Sequence, residues 1–80
     1  MKVTIYPATQ APHTVVVSTF SDLQKLVGGD IQVVKETSLG DLLVNEEGLL
    51  MNLPRNQHYP FLVGDVVLAP KGWGDLPYGD

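Results

Sequence analysis

The densest set of groups able to recognise a ligand lies between Met51 and Pro60. Asn52, Arg55, Asn56, Gln57, His58 and Tyr59 crowd into this stretch, and Pro54 and Pro60 restrict its backbone. Arg55 can clamp a phosphate or carboxylate, the amides can bond base edges or hydroxyls, and His58 or Tyr59 can stack on a planar ring. The same residues also have a structural reading, in which Asn56 caps a turn and Arg55 is a plain surface charge. Further along, Trp73 and Tyr78 carry the amphipathic side chains favoured at interfaces.

Covalent and metal chemistry lack their parts. The chain has no Cys, and His13 and His58 stand far apart, outside any spacing such as His-x-x-x-His. Ser18, Ser21 and Ser38 have no Gly-x-Ser-x-Gly context that would orient a nucleophile. Glu46 and Glu47 are adjacent on an expected turn and point to different sides, which suits a solvated loop better than acid–base catalysis. Gly28-Gly29 follows a helix where a phosphate cradle would precede one. We therefore expect no enzyme activity, no metal site and no cofactor.

Composition narrows the partners. At 80 residues the chain suits one domain, and 5 basic against 9 acidic side chains leave a formal charge of −4. That sign does not attract phosphate backbones, so nucleic acid is not expected as a general partner. It is also too small a charge for a mimic of DNA. No window approaches the roughly 18 uninterrupted apolar residues of a membrane span, and the start of the chain lacks the apolar stretch of a signal peptide. The expectation is a soluble protein with no membrane partner.

The elements that would position these residues follow from periodicity. Val3 and Ile5 alternate with polar neighbours up to Pro7 and pair with a second strand over Thr14 to Val17. Phe20, Leu23, Leu26 and Val27 share one face of a helix over about 19–27, with Ser18 or Thr19 as cap and Gly28 as left-handed stop. Ile31 to Glu36 is a third strand. Leu42–Val44 and Leu49–Met51 flank Asn45-Glu46-Glu47-Gly48 as a hairpin, with Gly48 taking positive φ. Val66 to Ala69 makes the last strand. The expected class is α+β, a mainly antiparallel sheet of five to six short strands with one main helix, in the order β-β-α-β-β-β-loop-β. Residues 1–69 form the domain, and 70–80 form a tail rich in Gly, Pro and aromatics that either folds over the core or docks on a partner.

Taken in order, Leu23 to Val34, Leu43 to Gly48, Leu53-Pro54-Arg55-Asn56 and Leu62 to Leu68 resemble the DUF3846 family over roughly residues 1–69. Asn45, Glu46, Gly48, Leu53, Pro54 and Asn56 match its Asn-Glu-x-Gly and Leu-Pro-x-Asn patterns. Gln57, His58 and Tyr59 stand where the family often has basic or small residues, and the end beyond Pro70 is read as particular to this chain. The resemblance implies a small α+β protein of bacteriophages, plasmids and some bacteria, without an established general activity. The candidate contacts are then Asn45, Asn52, Arg55, Asn56, His58, Tyr59, Trp73 and Tyr78. On this reading an accessory protein in the cytoplasm of a bacterial host cell binds and inhibits a host protein, such as a defence component. The alternative is a homo-oligomeric sponge for a nucleotide-like signalling molecule.

Overall fold

A computed structural model describes residues 1–79; Asp80, the end of the expected tail, lies outside the described residues. Among the described residues five strands and one α-helix follow in sequence as β1 (Lys2–Tyr6), β2 (His13–Val16), α1 (Phe20–Val27), β3 (Ile31–Glu36), β4 (Asp41–Asn45) and β5 (Val66–Ala69), and a single 3-10 turn, Trp73–Asp75, comes after them. They build one sheet in the order β2-β1-β5-β4-β3, with antiparallel neighbours throughout. The α+β class expected from the sequence is the class observed. β5 comes last in the sequence but sits at the centre, pairing Val67 with Ile5 of β1 on one side and with Leu43 of β4 on the other.

The local chemistry of α1 explains its bounds. Thr19 Oγ1 accepts the Asp22 N–H at 3.1 Å, while Asp22 Oδ2 accepts the N–H groups of Ser18 and Thr19 at 2.9 and 3.1 Å. This reciprocal cap satisfies donors that a helix start leaves orphaned, and the N–H of Ser18 and then that of Thr19 lower the Asp22 pKa. Gly28 ends the helix at φ 83°, in the left-handed region as expected.

The sheet is covered on both faces. Val3, Ile5, Leu43, Val67 and Ala69 pack with Leu23 and Val27 on the helix side, whereas Leu42, Val44 and Val66 pack with Tyr6, Tyr59 and Leu62 on the other. Burial on both faces accounts for the uninterrupted Leu42-Leu43-Val44 run. In β3 the Val33-Val34 doublet that blurs the alternation is a β-bulge. Among the described residues no helix is long and apolar enough to cross a membrane.

One element differs from expectation. Residues 49–51 are not a strand, because both edges of β4 are already taken, by β3 and by β5. They lie in successive turns closed by Met51 N–H to the Glu47 carbonyl at 2.9 Å and Leu53 N–H to the Gly48 carbonyl at 3.1 Å. The left-handed residue there is Asn52, at φ 58°, and not Gly48. Gly48 instead permits a close approach, since a Cβ at that position would meet Val63 Cγ2 at 3.0 Å.

Candidate functional site

The long connection from Glu46 to Asp65 crosses the sheet face opposite α1, and Asn56 holds it there. The Asn56 side chain is fully buried. Its Nδ2 donates to the carbonyls of Tyr6 and Gly64 at 2.8 and 2.9 Å, and its Oδ1 accepts the N–H groups of His58 and Tyr59 at 2.8 and 3.0 Å. Two donors and two acceptor sites are thereby filled, the full capacity of a carboxamide. Asn45 is likewise buried, donating to the Val27 carbonyl at 3.1 Å and accepting the Glu47 N–H at 2.7 Å, so it ties the end of α1 to the following turn.

The other polar candidates surround this framework. His58 Nε2 lies 2.7 Å from the Gln10 carbonyl and 3.3 Å from Gln57 Nε2. Arg55 is exposed and donates through Nη1 to the Pro60 carbonyl, and Asn52 is an exposed turn residue. Tyr6 meets His58 and Tyr59 edge-on at centroid distances of 5.7 and 5.2 Å. Partial burial, and then the neighbouring Tyr6, raise the Tyr59 hydroxyl pKa. Arg55, Asn56, His58 and Tyr59 thus share one loop, and Asn56 is fully engaged by that loop together with Tyr6 of β1.

Beside that loop opens a groove of about 360 Å³ that sequence reasoning missed. Val34 and Val44 of the sheet form part of its wall, and Leu49, Leu50, Phe61 and Leu62 complete it. Leu49 is 81% exposed, Leu50 84% and Phe61 70%, an unusual density of large apolar side chains in water. No local signal disclosed it, because the strand that occupies the second edge of β4 is β5, more than twenty residues further along the chain. Among the described residues no group of three or more His, Asp or Glu is placed to hold a metal ion.

Trp73 and Tyr78 lie elsewhere, with the helix-side core. Phe20 stacks with both rings, at 6.2 and 5.7 Å, and the Pro77 and Tyr78 carbonyls accept the N–H groups of Phe20 and Ser21 at 2.8 and 2.9 Å. Of the two roles expected for residues 70–79, the structure shows a strap over the domain. Its anchor is Asp41, whose carboxylate accepts Trp73 Nε1–H at 2.6 Å and Lys71 Nζ–H at 2.9 Å.

The Trp73 bond first, then Lys71, hold the Asp41 pKa below its usual value of 3.8. A depressed folded-state pKa means the contact contributes fully above the unfolded value and is lost as pH falls through the folded one. Emission of Trp73, the sole tryptophan, is therefore expected to shift to the red as pH drops below 3.8, while far-ultraviolet dichroism is still native. Asp41→Asn should remove this transition; an identical transition in that variant would show that Asp41 does not govern the strap.

Fold and site together define a small α+β domain whose open feature is an apolar groove and not a cluster of reactive groups. The chain belongs to the DUF3846 family, a domain of unknown function whose profile matches residues 1–77. The match takes in Trp73 and Leu76 of the strap, beyond residue 69 where the resemblance in the sequence was placed. No curated protein and no solved structure was found to match the chain.

Proposed function

We propose that this protein acts by binding another protein through the groove between β3 and the Leu49–Leu50 turn, without turning over a substrate. One observation carries the reading: Leu49, Leu50 and Phe61 stand largely in water around a single groove, although nothing in the fold requires large apolar residues there. Exposed apolar clusters of this kind mark interaction surfaces. The resemblance to phage- and plasmid-borne proteins supports a bacterial host protein as the partner. Sequestration of a nucleotide by Arg55, Asn56, His58 and Tyr59 draws less support, because Asn56 is engaged within the chain and His58 Nε2 is bonded to Gln10.

The test is the combined variant Leu49→Ser, Leu50→Ser, Phe61→Ser. Substitutions at such exposed positions change stability by about 0.5 kcal/mol or less each, so the unfolding midpoint of the triple variant should move by no more than roughly 6–12 °C. A stoichiometric partner recovered from bacterial lysate on the parent protein should be lost on the variant. Recovery of no such partner, or equal recovery on both proteins, would refute the proposal.

A further inference from the structure

Resting on that docking reading, we infer that the groove takes a partner segment whose apolar side chains stand next to a lysine or arginine, and that its occupant is not a second copy of this chain. Among the described residues lining the groove, Glu46 is the one that carries a charge. Glu47 follows it, also exposed, at the turn leading into Leu49 and Leu50. The ion pair found among the described residues is Lys71 with Asp41, so neither glutamate has a cation within 4.0 Å. Lys35 lies past Val34 on β3 and does not line the groove, and Arg55 reaches the Pro60 carbonyl.

An apolar trough with the unpaired carboxylate of Glu46 in its lining, and that of Glu47 on the adjoining turn, selects its occupant. A lysine or arginine can lay its methylene stem along Leu49 and Leu50 while its charged end reaches Glu46 or Glu47. A phosphate-bearing ligand would meet those carboxylates and a chain of net charge −4. A symmetric pairing of two copies through this face would offer Glu46 a second glutamate and no cation, because among the described residues the lining of the groove holds no lysine or arginine.

The dimensions fit side-chain anchors. At about 360 Å³ the groove is near the small end of ligand clefts, which run from about 300 to 1,000 Å³, and has room for a few side chains. Gln32 and Val34, on the wall, belong to the edge strand β3, whose bulge and Lys35 discourage strand addition. Recognition therefore runs through anchors seated between Leu49–Leu50 and Phe61.

The probe is a displayed library of random short peptides, selected on the parent protein, with enriched sequences then synthesised. Enriched peptides should place Lys or Arg beside apolar residues. Their affinity should fall about tenfold or more with Glu46→Lys, Glu47→Lys, be weakened by salt, and vanish with Leu49→Ser, Leu50→Ser, Phe61→Ser. Enrichment of uncharged or acidic peptides, no enrichment at all, or indifference to the glutamate reversals would overturn the cationic-partner inference while leaving apolar docking standing. Binding that survives the Leu/Phe variant would instead remove the docking reading. Sedimentation supplies a further arm: a dimer of the parent protein that dissociates in the Leu/Phe variant would make a second copy the occupant and overturn the inference.

Discussion

Asn56→Ala is expected to destabilise the fold by about 3–4 kcal/mol, a large part of the roughly 5–10 kcal/mol available to a domain of this size. The substitution removes four hydrogen bonds at once and leaves the carbonyls of Tyr6 and Gly64 and the N–H groups of His58 and Tyr59 without their partner. Each such bond contributes about 0.5–1.5 kcal/mol net, and a buried group left unpaired costs more. At about 4–8 °C per kcal/mol the midpoint should fall by roughly 12–32 °C. Asn56→Asp separates the two halves of the carboxamide. It keeps the acceptor facing His58 and Tyr59 but turns a carboxylate toward two carbonyl oxygens, so the introduced group has a raised folded-state pKa. Stability tied to that raised pKa is present at acid pH and lost as pH rises through it, so the deficit relative to the parent should widen toward neutrality. Urea titrations at two pH values check both expectations, and an Asn56→Ala loss below about 1 kcal/mol would show that the loop is held by something else.

Gly40→Ala should be the other severe change, at about 3 kcal/mol. Gly40 adopts φ 152°, a conformation that side chains with a Cβ rarely take, and an added Cβ would lie 2.3 Å from the Ala69 carbonyl oxygen and 3.0 Å from its carbon. Those are backbone atoms of β5, so relief requires moving β4 away from the central strand at the Asp41–Ala69 pair. The same movement displaces Asp41 and loosens the strap held through Lys71 and Trp73. Gly74→Ala is the control: nothing lies within 4 Å of a Cβ there, and the change should stay within about 0.5 kcal/mol. Urea midpoints together with Trp73 emission compare the two, and equal effects would refute the close-approach argument.

What was legible in the sequence is what neighbours in sequence decide. The bounds of α1 follow from Thr19, Asp22 and Gly28, all within a turn of the helix ends, and β3 and β5 coincide with their expected limits. Strand order was not legible, because nothing local to Val66–Ala69 says that the last strand lies between β1 and β4. The Leu49–Met51 segment misled for the same reason, since its β-like composition is overruled by the two partners β4 already has. At Asn56 the residue type disclosed four bonding positions but not their direction. One of its partners, Tyr6, is 50 residues away, so an inward-facing carboxamide and a ligand-facing one read alike. The tail was half legible: two large aromatics called for a surface to cover, but Asp41, 32 residues from Trp73, could not be named as the anchor.

The central place of β5 also bears on how the nascent chain behaves at the ribosome. Synthesis delivers β1 through β4 first, as two hairpins that share no strand. Until residues 66–69 clear the exit tunnel, β1 and β4 each present a bare edge to chaperones or to a neighbouring nascent chain. Sheet closure is then a late step that both hairpins await together.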